Sequence, residues 1–135
     1  MTYTGIRAKI IDLLEAIPEL AEVIDHDPDK LTQYPAATVE AASHQDSFYD
    51  TGANQRAFSF IVRCYYPISS GRDQSAETRL IATVDAIVTT LEATVSVPRV
   101  WEIARPTRAV WSKDEREMPV RFCEITFTVE SRVLR

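Results

Sequence analysis

Alternation is clearest near the end of the chain. From Val120 to Val133, Cys123, Ile125, Phe127, Val129 and Val133 share one parity, while Glu124, Thr126, Thr128, Glu130 and Arg132 share the other. A strand sends successive side chains to opposite faces, so this run predicts a strand with one apolar face and one face of threonine and charge. Arg56 to Tyr66 follows the same rule. Phe58, Phe60, Val62, Cys64 and Tyr66 form its apolar parity, and Ser59, Ile61, Arg63 and Tyr65 the other. A shorter run, Ala36 to Ser43, predicts a strand opened by Pro35. A long polar connection, His44 to Gln55, joins these two as a hairpin, with Asp50-Thr51-Gly52-Ala53-Asn54 as its turn signal. Arg99 to Ser112 predicts a further strand, interrupted by Pro106. Proline removes a ladder donor, which makes that strand an edge or places a bulge in it. Lys113 to Glu117 is then a charged hairpin tip leading into the last strand.

Two stretches carry helical spacing instead. Ile6, Ile10, Leu13, Leu14 and Ile17 predict a helix over Gly5 to Ile17, capped by Thr4 and stopped by Pro18. One more short turn is expected within Glu19 to Ile24, followed by a polar loop from Asp25 to Tyr34. Leu80, Val84, Ile87, Val88 and Leu91 predict a second helix, capped by Asp73 or Ser75 and running to about Ala93. The expected order is αββαββ. Each helix has one apolar stripe and each hairpin one apolar face. The predicted fold is α+β: a four-stranded, mainly antiparallel sheet with two helices on one face, in a single domain over residues 1–135. The other face of the sheet is expected to have no cover from this chain.

Composition narrows the classes of function. The chain is 45% hydrophobic and 26% charged, ordinary for a globular domain. Its net charge of -5 argues against a dedicated nucleic-acid binder, which usually carries a basic face. No segment is apolar enough to span a bilayer, because Leu80 to Leu91 contains Asp85 and several threonines. Arg7, Lys9, Asp12 and Glu15 interrupt what would be the uncharged centre of a signal peptide, so retention in the cytoplasm after synthesis is expected. Cys64 and Cys123 both fall on apolar parities and are read as buried, reduced thiols; a disulfide would need their strands adjacent and in register.

The candidate chemistry is thin. Asp25-His26-Asp27-Pro28-Asp29 offers oxygen and nitrogen ligands for a divalent cation, but it lacks calcium-loop spacing and a turn glycine. Ser43-His44-Gln45-Asp46-Ser47 holds the residue types of a nucleophile site without a glycine-flanked serine or convergence from separate elements. Ser69-Ser70-Gly71-Arg72-Asp73 precedes a helix start but lacks the lysine of a phosphate loop. Phe58, Phe60 and Tyr66 fall on the helix-facing parity, which leaves Tyr65 as the aromatic available for base stacking. Trp101 and Trp111 share a parity if no bulge intervenes, and are read as core or subunit-interface residues. No catalytic residue, metal ligand or cofactor is assigned.

The order of these parts resembles the tail terminator, or tail completion, proteins of long-tailed (siphovirus-type) bacteriophages. The likeness rests on several stretches. They are the helix Ile6 to Ile17, the Tyr34-Pro35-Ala36-Ala37-Thr38-Val39 strand entry, and the Asp50-Thr51-Gly52 turn. The strand Phe58 to Tyr66, the alanine- and leucine-containing helix, and the charged hairpin before Phe122 to Val129 complete it. The resemblance implies a non-catalytic virion protein of the tail–neck region, assembled in the host cytoplasm. It would form a homohexameric ring that caps the tail tube, ends its polymerisation and joins the tail to the head connector or stopper protein. Genomic DNA would pass through without specific binding, and no membrane or cofactor is involved. Three regions are expected at interfaces. The long loop carries Phe48, Tyr49 and Asp50. The hairpin tip carries Trp111, Lys113, Asp114, Glu115, Arg116 and Glu117. The polar strand face carries Glu124, Thr126, Thr128, Glu130 and Arg132. The alternatives are another neck, minor tail or head-completion component, or a small metal-dependent enzyme using Asp25, His26, Asp27 and Asp29.

Overall fold

The computed structural model describes residues 2–24, 33–50, 53–67, 73–97, 100–114 and 120–134. In chain order the elements are α1 (Tyr3–Glu15), β1 (Glu22–Ile24), β2 (Ala36–Asp50), β3 (Ala53–Pro67), α2 (Asp73–Ala93), β4 (Ile103–Asp114) and β5 (Val120–Leu134). The strands form one sheet in the order β1-β2-β3-β5-β4. β1 runs parallel to β2, and every other pair is antiparallel. The α+β class and the two helices agree with the sequence reading. The sheet has a fifth strand that the reading did not contain.

That strand is β1, three residues long, where a turn was expected. Three residues are too few to show alternation, and all three are half-buried. What makes Glu22–Ile24 a strand is its partner, since it aligns Glu22, Val23 and Ile24 with Ala36, Ala37 and Thr38. The neighbouring chain is anchored by the Ala21 N–H donating to the Pro35 carbonyl at 2.8 Å and the Gln33 N–H donating to Glu22 Oε2 at 3.1 Å.

α1 starts earlier than expected. Thr2, not Thr4, is its cap: Thr2 is extended, and its Oγ1 accepts from the Gly5 N–H at 3.0 Å. This satisfies one of the orphan donors of the first turn. Ile6, Ile10 and Leu14 are fully buried and Ile17 nearly so, while Leu13 packs at the edge of the core. On α2, Leu80, Val84, Ile87 and Leu91 are buried as the spacing requires, joined by Ala76 and Thr83. The Thr83 hydroxyl is satisfied by donating to the Arg79 carbonyl at 3.0 Å. Both helices contact one face of the sheet and each other there.

Facing them are Ala37 and Val39 of β2, Phe58, Phe60, Val62 and Cys64 of β3, and Cys123, Ile125, Phe127 and Val129 of β5. The register places Phe60 beside Phe127 and Cys64 beside Cys123. The adjacency that a disulfide requires is therefore present, yet both thiols are free and buried. Trp101 lies before β4 rather than on it, and it is buried against Phe127 with ring centroids 5.6 Å apart. Its indole N–H donates to the Thr94 carbonyl at 3.2 Å.

The largest departure is the length of the first hairpin. β2 and β3 are 15 residues each, so His44 to Asp50 and Ala53 to Gln55 are strand rather than a long loop. His44 and Gln45 are exposed, and an exposed stretch of strand has no need of an apolar parity. β4 begins at Ile103 rather than Arg99. It is an edge strand with a register shift between Pro106 and Arg108, as the proline required.

Candidate interaction surface

The face of the sheet away from the helices is built by the other parity of the same strands. Across it, Arg63 stands beside Glu124, Ile61 beside Thr126, Ser59 beside Thr128 and Ala57 beside Glu130. On the far side of β5, Val110 stands beside Glu124 and Arg108 beside Thr126. Glu124, Thr126, Thr128 and Glu130 are on this face, as alternation predicts, and all four are half-buried rather than exposed. Arg132 is opposite Gln55 on the same strand pair.

These polar groups bond to one another. Arg63 Nε donates to Glu124 Oε1 at 3.2 Å, and Arg63 also pairs with Glu40 on the other neighbouring strand. Burial works against its charge, but hydrogen bonds and ion pairing with Glu40 and Glu124 outweigh that, holding the guanidinium above its ordinary value. Gln55 Nε2 donates to Glu130 Oε2 at 3.1 Å. The Thr107 hydroxyl lies 3.2 Å from that of Thr128. Arg63, Glu40, Gln55 and Thr107 were absent from the sequence candidates. An arginine on the polar parity of an otherwise aromatic strand was the available signal, but its partners depend on register. Glu124 and Glu130 are thus engaged within the chain.

One end of this face has a cover, contrary to the expectation that none exists. Tyr65, Ala36 and Val120 are buried there in a second apolar cluster, against which Ile24, Tyr34 and Phe122 pack. The Tyr65 and Phe122 rings lie 5.7 Å apart. Tyr65 is 2% exposed, so it is not a platform for stacking bases.

The remaining candidates divide by position. Phe48, Tyr49 and Asp50 lie on β2, not on a loop. Lys113 and Asp114 belong to β4 rather than to a hairpin tip. Glu115, Arg116 and Glu117 lie outside the described residues, as do Asp25, His26, Asp27 and Asp29. Trp111 is opposite Cys123, on the helix-facing side, but it is 44% exposed because it stands at the sheet edge. The bulge after Pro106 and the position of Trp101 outside β4 break the shared parity of the two tryptophans. Val110, on the opposite face, is 41% exposed. The end of β4 therefore presents apolar side chains on both of its faces.

Ser43 and His44 are consecutive residues of an extended strand, which directs them to opposite faces. His44 instead joins Tyr3 and Phe58: Tyr3 and Phe58 are edge-on with centroids 4.6 Å apart, and the Tyr3 hydroxyl bonds His44 Nδ1. A cleft of about 500 Å³ lies where the end of α1 meets α2, and its polar lining is Glu19, Asp85, Thr89 and Thr90. Among the described residues, no group of three or more His, Cys, Asp or Glu is placed to hold a metal ion. Among them too, no helix is long and apolar enough to cross a membrane.

No protein-family model matches this chain, and no curated protein matches it. Its fold is similar to that of a chain in a solved structure described as the virion of a native gene transfer agent particle. The TM-score is 0.54 at 17% sequence identity, over 98% of this chain and 91% of the other.

Proposed function

We propose that this chain is a non-catalytic structural protein of a phage-type virion. It assembles as a ring on the end of the tail tube, ends tube polymerisation and joins the tail to the head connector. The observation that carries the virion reading is the whole-length likeness to a chain of a gene transfer agent virion. The position at the tube end draws on the sequence resemblance to tail terminators. Ring formation agrees with a sheet that has two unlike edges and with exposed apolar residues on β4. A lumen lined by an acidic chain passes DNA without gripping it, since both carry negative charge.

The test is tube length. Purified protein added to polymerising tail-tube protein is expected to yield shorter tubes, each with a ring at one end in electron micrographs. Unchanged tube lengths with no end density would overturn the reading. A second reading, another neck or minor tail component, draws on the same likeness, because the matched structure is a whole virion. Imaging of where the protein sits on the particle separates the two.

A further inference from the structure

Two strands of the sheet have an unpaired side among the described residues. β4 pairs only with β5. β2 is covered by β1 over Ala36 to Thr38 alone, which leaves Val39 to Asp50 open on that side. An open strand side is a row of unsatisfied donors and acceptors and a template for another strand. Described residues along both are exposed: Ala41 to Gln45 on β2, and Arg108 to Lys113 on β4. Pro106 and its bulge blunt the first half of β4 but not Arg108 to Asp114.

We propose that β4 of one copy pairs with β2 of the next, so that the sheet continues from subunit to subunit. Three observations favour this occupant. First, the charges are complementary. β4 holds Arg105 and Arg108, with Lys113 and Asp114 offsetting each other in charge, whereas β2 holds Asp46 and Asp50, with Glu40 already paired to Arg63, and no lysine or arginine. Pairing β4 with β4, or β2 with β2, sets like charges together, which selects the head-to-tail arrangement over a two-fold dimer. Second, the directions agree. The three antiparallel steps from β2 to β4 leave these two strands antiparallel. A copy displaced sideways therefore brings its β2 antiparallel to β4. Third, a strand added beside β4 covers Val110 and Trp111, which are exposed on its two faces. Repeated head-to-tail contacts close into a ring when their rotation permits. The proposal deepens the ring reading and rests on it for that closure only.

Cysteine pairing tests it directly. Within one chain, β2 and β4 are separated by three inter-strand steps, or about 14 Å, beyond the reach of a disulfide at roughly 7 Å between Cα atoms. Any link between the two strands therefore joins two copies. Single variants at exposed β2 positions (Ala41→Cys, Ser43→Cys, Gln45→Cys) are mixed under oxidation with single variants at β4 (Val110→Cys, Ser112→Cys). Native Cys64 and Cys123 are buried, so the unsubstituted chain serves as the unlinked control. At least one mixed pair is expected to give a covalent dimer, and variants carrying both cysteines a ladder of higher oligomers. In parallel, Arg108→Glu is expected to weaken self-association, read by sedimentation, by roughly tenfold or more.

A chain that sediments as a monomer at its highest soluble concentration overturns the proposal. So does an oligomer in which no mixed pair links, or one in which links form only between identical variants. Tubes capped by a protein whose strands never cross-link would overturn strand pairing alone and leave the tube-capping reading standing. Linked oligomers that never engage a tube would support the pairing and remove the tube-end role.

Discussion

Arg63 is the residue whose loss tests the account of the open face most directly. It lies on β3 between two carboxylates, Glu124 directly across on β5 and Glu40 diagonally across on β2. Arg63→Ala removes both pairs, strips an aliphatic stem from the sheet, and leaves two carboxylates without their shared cation. Exposed pairs contribute about 0.2–1 kcal/mol, whereas breaking a fully buried pair costs about 3–5 kcal/mol. The side chains here are 21% exposed for Arg63, 32% for Glu40 and 35% for Glu124, so water still screens them. An intermediate loss of about 2 kcal/mol follows. At about 2.1 cal/mol/K per residue, a chain of 135 residues unfolds with an entropy of about 0.28 kcal/mol/K, so the melting temperature should fall by about 7 °C. Double-mutant cycles with Glu124→Gln and Glu40→Gln, read by urea denaturation, should each return a coupling of about 0.5–1 kcal/mol, reduced in high salt. If Arg63→Ala leaves the midpoint unchanged and both couplings vanish into experimental error, the face is not held by these pairs and the reasoning fails.

The thiols offer a second measurement. Burial pushes Cys64 up, and it pushes Cys123 up to about 11. Neither should react with an aromatic disulfide reagent at neutral pH until the protein unfolds, so rapid labelling of the native chain would refute their placement. Because these folded-state values lie above the unfolded ones, the associated stability is intact below about pH 9 and lost as pH rises through about 11; an alkaline stability series should decline in that window. Phe127→Ala removes a fully buried ring packed on Trp101 and beside Phe60. It should cost about 3–5 kcal/mol in denaturant midpoint analysis, and a loss below about 1 kcal/mol would contradict the described core.

The readable parts of this fold are those in which one residue face meets one environment. Ile6, Ile10 and Leu14 show helical spacing because a single stripe of α1 meets the sheet. Cys123, Ile125, Phe127 and Val129 alternate because one face of β5 lies under the helices. Pro106 marked an edge strand for the same local reason, a missing donor. The candidate surface was less legible. Alternation alone puts Glu124, Thr126, Thr128 and Glu130 on the face away from the helices, but their half-burial and bonding follow from β3 and β4 beside them. Phe48, Tyr49 and Asp50 belong to β2 through its pairing with β3, and the polar stretch from His44 to Ser47 shows no apolar alternation that would carry the strand to them.

The sequence by itself therefore determined the α+β class, both helices, the apolar faces of β3 and β5 and the two parities of the last strand. Each of these follows from side chains near one another along the chain. Tertiary structure alone decided the rest: the parallel strand β1, the juxtaposition of Cys64 with Cys123, the Glu40–Arg63–Glu124 cluster, and the placement of β2 and β4 at opposite sides of the sheet. These depend on strand order and register. A three-residue strand, a cross-strand pair and an open edge are properties of which neighbours a segment finds, and hydrophobic periodicity carries no record of them.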